Sequence, residues 1–123
     1  VIIVLLTLAA GAVGAVLRFL TSRAFAARPI GAVLVVNVVG SAIGGAVLGL
    51  AQAGSVSGDI RLILLTGFCG GLTTFSTFSV ETIQLVMEGK ARLSAVNVVA
   101  NLALGIGAAA SVYGIVMLAL ARA

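Results

Sequence analysis

Apolar residues run along this chain in four long blocks, at roughly residues 2–25, 30–51, 62–87 and 93–120, parted by three short polar stretches. A bilayer's hydrocarbon core is about 30 Å thick and takes about 20 apolar residues of helix to cross. Each block meets that length. Pro29 suits the first turn of the second helix, because its missing N–H is one that no helix start can pair. Gln52, Gly54, Ser55, Ser57, Gly58 and Asp59 make a polar loop, with Ser57 or Asp59 placed to cap the third helix. Glu88, Gly89, Lys90 and Arg92 make a short turn before the fourth. The first block lacks a basic leader and is followed by three more, so it reads as a transmembrane helix and not as a signal peptide. The expectation is an all-α membrane protein: one domain over residues 1–123, four transmembrane helices and no separate soluble part.

The third block departs from the others. A straight helix over its 26 residues would be about 39 Å long. Tilt absorbs part of that excess, but Gly67, Gly70 and Gly71 predict a break near the middle. Residues 67–79, GFCGGLTTFSTFS, hold three glycines, three threonines, two serines and three phenylalanines. Lipid offers hydroxyls no partners, and irregular backbone survives at that depth only inside protein or against a cavity. This stretch therefore reads as a working segment. Elsewhere Gly11 and Gly14, Gly40 and Gly44, and Gly45 and Gly49 give small-residue spacings that let helices approach closely.

Composition narrows the functional classes. The chain is 62% hydrophobic and 8% charged, against about 25% charged in soluble domains. Its net charge of +4 comes from basic residues scattered at block ends, without a cluster or interleaved aromatics, which argues against nucleic acid. One cysteine, Cys69, and no histidine exclude a disulfide framework or a His/Cys metal site within one chain. With three carboxylates and no base beside a nucleophile, the chain does not read as an enzyme. With four crossings, Arg61 and Arg122 fall on the side of the termini, and Arg23, Arg28, Lys90 and Arg92 on the other. So small a bias weakly favours outside termini and cannot firmly fix one insertion.

A few polar or aromatic side chains inside the blocks carry candidate chemistry. Asn37, in mid-helix, either bonds another helix or offers its NH₂ to an anion. Phe75 and Phe78 share a helix face. They are either core packing or a pair of positive ring edges for a dehydrated anion. Ser76 and Thr77 add hydroxyl donors, whereas Phe68 reads as packing. Glu81 extends the same stripe, and an ionisable residue within a span is a functional candidate by default. Asn97 and Asn101, one turn apart, form a polar rail on the fourth helix. Arg18 either anchors at the interface or gathers anions at a vestibule. At the break near Gly70 and Thr73, freed carbonyls suit a small hard cation, and a restarting helix N-terminus offers positive dipole.

GFCGGLTTFSTFS, with GAVLR at Gly14–Arg18 and VNVVG at Val36–Gly40, resembles the signature of the Fluc fluoride channels. The resemblance covers the first three blocks; the fourth matches in character only, its asparagines standing where the family has a tyrosine and hydroxyls. It implies a multi-pass protein of the plasma membrane that exports fluoride passively, as an antiparallel, dual-topology homodimer with two pores. It implies pore roles for Asn37, Phe75 and Phe78, an acid at Glu81 and a first-helix arginine at Arg18. It also implies a structural sodium ion at the dimer centre, held by backbone oxygens of Gly70 and Thr73. The alternative is a small four-helix drug/proton antiporter. That mechanism needs a carboxylate deep in the membrane, for which Glu81 is the sole candidate.

Overall fold

The computed structural model describes residues 1–122, except for the side chain of Pro29. Its elements are α1 (Ile2–Ala24), α2 (Pro29–Gln52), α3 (Gly58–Leu62), a π-helical segment (Ile63–Cys69), α4 (Gly70–Leu72), α5 (Phe75–Met87) and α6 (Ala91–Ala121). Together they make four spans long and apolar enough to cross a membrane: Ile2–Ala24, Ile30–Gln52, Gly58–Met87 and Ala91–Ala121. Each expected apolar block is thus one span, and the third is bent near its middle.

Local chemistry sets the ends. Pro29 opens α2 in its first turn. The Ser57 hydroxyl caps α3 by accepting from the Ile60 N–H at 3.3 Å, so of the two expected caps it is serine that acts. Gly54 at φ +71° and Gly89 at φ +74° follow the ends of α2 and α5. Their left-handed backbone brings the Ser55 N–H to the Leu50 carbonyl at 2.9 Å and the Lys90 N–H to the Leu85 carbonyl at 2.8 Å. Glycine adopts that conformation without a Cβ penalty, and so stops each helix.

The long helices α2 and α6 pack against each other, while α1 lies on the π-helical segment and α4. Glycines stand at these contacts. A Cβ on Gly45 would strike the Ala109 carbonyl, and one on Gly49 would come 3.0 Å from Val116. A Cβ on Gly14 would meet the Phe68 carbonyl and lie 2.7 Å from the Leu72 nitrogen. With lipid on the outside there is little hydrophobic drive between helices, so close backbone approach supplies the cohesion.

The break falls at Thr73, at the downstream edge of the stretch expected to open, and the glycines are not what opens it. Gly67, Gly70 and Gly71 all remain helical, and the chain extends only at Thr73 (ψ 160°) and Thr74 (φ −148°, ψ 121°). Two of these glycines serve packing. A Cβ on Gly67 would lie 2.6 Å from the Thr7 carbonyl, and one on Gly71 would collide with the Gly11 carbonyl. Upstream of the break, the helix has widened into seven π-helical residues. The hydroxyls of this span and its neighbours are largely satisfied by their own helices: Thr7, Thr21, Thr73, Ser79 and Thr82 each donate to the carbonyl four residues back.

Candidate functional site

The break is held open by Asn37. Its Oδ1 accepts the Thr74 N–H at 2.9 Å, and its Nδ2 donates to the Thr74 carbonyl at 3.3 Å. The side-chain amide thus pairs with the backbone of one residue as a neighbouring peptide would. In a continuous helix the Thr74 N–H would serve the Gly70 carbonyl, four residues back. A second diversion follows: the Thr77 N–H donates to the Thr74 hydroxyl at 3.1 Å, as at a helix N-cap, and so does not serve the Thr73 carbonyl. The Thr74 hydroxyl also meets those of Thr77 at 3.1 Å and Ser76 at 3.3 Å. Thr74 is buried, and α5 starts directly behind it.

Asn37 also donates to Asn101 Oδ1 at 3.0 Å. Asn101 Nδ2 donates to Asn97, to both its backbone carbonyl and its Oδ1, at 3.0 Å. Asn97 Nδ2 donates to the Thr82 hydroxyl at 3.1 Å, and that hydroxyl donates to the Phe78 carbonyl at 2.7 Å. Ser94 adds a bond from its hydroxyl to the Thr82 carbonyl at 2.9 Å. Asn97, Asn101 and Ser94 are buried, so the rail on α6 faces inward, toward α2 and α5.

A cavity of about 280 Å³ opens beside the break, lined by Asn37, Ser41, Thr73, Thr74, Phe75, Phe78, Asn101 and Leu102. The Phe75 and Phe78 rings stand 5.9 Å apart, tilted by 45°. Phe75 is 80% exposed, so packing within this chain is not what holds it there. The first turn of α5 opens onto the same space, with its positive dipole end toward the cavity.

The expected site residues divide. Asn37, Phe75, Phe78, Asn101 and Thr73 meet at this cavity. The Ser76 and Thr77 hydroxyls bond the capping Thr74 hydroxyl beside it, and Asn97 stands one link further along the rail. Glu81 lies apart, in a second cavity of about 250 Å³ with Ile30, Gln84, Leu85, Glu88, Lys90 and Leu93. Its Oε2 is buried and unpaired, whereas Glu88 forms an exposed ion pair with Lys90 at 2.7 Å. Arg18 is half-buried on α1, outside the lining of either cavity, and Phe68 is half-buried between the glycine contacts. Three participants were not singled out from sequence: Thr74, Thr82 and Ser94. Thr74 carries a local signal, a residue type favoured at helix N-caps standing directly before the helical run of residues 75–87. Thr82 and Ser94 carry none, because their pairing depends on how α5 and α6 align.

The family described as "CrcB-like protein, Camphor Resistance (CrcB)" matches residues 5–115. A protein of Streptomyces avermitilis named fluoride-specific ion channel FluC 1 is 43% identical over 110 residues, covering 85% of this chain and 88% of its own length. FluC 2 of Rhodococcus jostii is 45% identical over 109 residues, covering 86% and 91%. FluC of Pyrococcus abyssi is 46% identical over 101 residues, covering 79% and 81%. Matches of that extent, running through all four spans, show that the chain belongs to the CrcB-like family.

Proposed function

We propose that this protein is a fluoride-selective channel giving passive fluoride export across the plasma membrane, with the cavity beside the break as part of its path. The observation that carries the reading is the meeting of Phe75, Phe78 and the α5 N-terminus at one cavity, in a chain whose relatives are named fluoride-specific channels. A small anion needs positive surface without bulk water. Ring edges and helix-start N–H groups both supply it, and neither is a mobile charge that would trap the ion. Conduction requires sites weak enough to leave as well as to enter. Ser76 and Thr77 keep the helix start in place, Arg18 raises anion concentration near the entrance, and Glu81 borders a separate mouth.

The path is completed by a second copy of the chain in an antiparallel homodimer with two pores. The wide exposure of Phe75 and the slight charge asymmetry support this. A structural sodium ion fits the backbone at the dimer centre. The Gly70 and Thr73 carbonyls have both lost their usual helical donors, to Asn37 and to Thr74 respectively, and hard oxygens suit a hard cation. When bound, the ion would supply positive charge to carbonyl dipoles left without partners in the membrane. The relatives are named channels and not enzymes, and they give the antiporter alternative no support.

Proteoliposomes loaded with fluoride or with chloride test the reading. The purified chain is expected to release fluoride far faster than chloride. Equal fluxes refute selectivity, and proton-coupled efflux of an organic cation favours the antiporter.

A further inference from the structure

The asparagine rail has a direction. Thr74 has only an N–H to give and a carbonyl to receive with, so the Asn37 amide must present Oδ1 to one and Nδ2 to the other. Asn37 then has only N–H left for Asn101, which must answer with Oδ1. Asn101 is left with Nδ2 for Asn97, Asn97 with Nδ2 for Thr82, and the Thr82 hydroxyl with its proton for the Phe78 carbonyl. Every link donates in the same sense. The series leaves the third span at Thr74, crosses α2 and α6, and returns to the third span at Phe78. Aligned bonds in a low dielectric polarise one another. Both Nδ2 protons of Asn37 are engaged within the protein, by Thr74 and Asn101.

We propose that Asn101 and Asn97 are positioning residues: they act on the anion path through Asn37, by anchoring from α6 the amide that holds Thr74 and the start of α5, and not by donating to the anion. The proposal rests on the channel reading for its functional readout. Phe75 and Phe78 follow Thr74 by one and four residues, so the grip on Thr74 sets where their rings stand. Asn101 is itself held by the Asn97 backbone carbonyl, so without it the Asn37 amide loses its one anchor apart from Thr74. Thr74 is then held by an amide that is anchored to nothing but Thr74 itself, and the Gly70 carbonyl can reclaim its N–H.

The test compares the parent, Asn101→Ala, Asn101→Asp, Asn37→Ala and the Asn37→Ala/Asn101→Ala double variant, purified as the full chain. Fluoride efflux is read in proteoliposomes, and deuterium exchange of the segment containing Thr74 is read in detergent. Aspartate keeps a side-chain oxygen facing Asn37, and in its neutral form donates a hydroxyl to Asn97 as the amide does. The expected results are a tenfold or larger flux loss in Asn101→Ala, flux within threefold of the parent in Asn101→Asp, and a double variant within twofold of Asn37→Ala alone. Exchange at Thr74 speeds at least tenfold in Asn101→Ala. Multiplying losses in the double variant, or an aspartate as inactive as the alanine, would mean that Asn101 serves the anion directly and would overturn the proposal. Parent-like flux and exchange in Asn101→Ala would overturn it too. Should Asn101→Ala not fold, the aspartate decides: near-parent flux supports the relay, and background flux in a folded dimer refutes it. Should the parent conduct no fluoride, the channel reading fails, while exchange at Thr74 still judges the relay.

Discussion

The upstream part of the third span, residues 63–72, meets α1 backbone to backbone, with glycines at the contacts, whereas α5 meets α2 and α6 through amides and hydroxyls. The first arrangement is steric. Its cohesion comes from close approach, and a single methyl group defeats it. The second is directional. Each bond there is modest, but together they specify where a helix begins and which way two phenylalanines face. One span thus holds a rigid seat and an aimed one, joined at Thr73 and Thr74. Freed carbonyls and a helix start lie back to back at that joint, so one backbone feature presents opposite polarities on its two sides.

The comparison breaks most readily on the steric side. Gly71→Ala puts a methyl group against the Gly11 carbonyl, and backbone cannot swing aside as a side chain can. The expected loss is about 3 kcal/mol, at the upper end of overpacking costs, measured by reversible unfolding in mixed micelles. A loss under about 1 kcal/mol would mean that α1 yields easily and that the seat is not rigid. On the directional side, Thr74→Val keeps the shape and the extended backbone but removes the hydroxyl that caps α5. It is expected to cost about 1 kcal/mol, as for other N-caps, and to lower fluoride flux in the same preparation. Unchanged stability and flux would show that Asn37 alone holds the helix start.

A smaller effect sharpens the contrast further. The pair Asn97 and Thr82 is a single bond between α6 and α5. A cycle of Asn97→Ala, Thr82→Val and the double variant is expected to give a coupling near 0.6 kcal/mol, the usual scale for hydrogen bonds between membrane helices. A coupling of zero would remove this link from the rail. Smallest of all, Gly107→Ala meets nothing within 4 Å in this chain. It is expected to stabilise α6 slightly, by less than about 1 kcal/mol through helix propensity. A marked loss at Gly107 would instead reveal a neighbour from another copy on that face.

The four spans were legible because lipid imposes length and composition on each, and Ser57, Pro29 and Gly89 mark ends by chemistry that acts within a few residues. The six glycines paired by spacing on α1 and α2 all face another element. The break was legible near Gly70 and Thr73, but the glycines expected to cause it stay helical. Glycine weakens a helix and also admits a neighbouring backbone, and sequence alone does not separate the two uses. What opens the chain is a side chain 37 positions away, Asn37, whose partner is the backbone of Thr74. Such a partner has no identity for sequence to display. Asn97 and Asn101 were legible as one helical face, but their bonds to Thr82 and Asn37 follow from the register of three helices. Glu81 shows the reverse: its spacing put it on the phenylalanine stripe, and the structure gives it a separate cavity.

On the proposed channel reading, the aimed part of the third span handles the anion through its ring edges. Fluoride efflux through Phe78→Ile, reconstituted beside the parent and matched for assembly by size exclusion, tests it most directly. Isoleucine keeps much of the bulk and removes the positive ring edge. The account predicts a flux at least tenfold below the parent with assembly unchanged. Parent-like flux from a folded Phe78→Ile protein would contradict it and return the phenylalanines to packing.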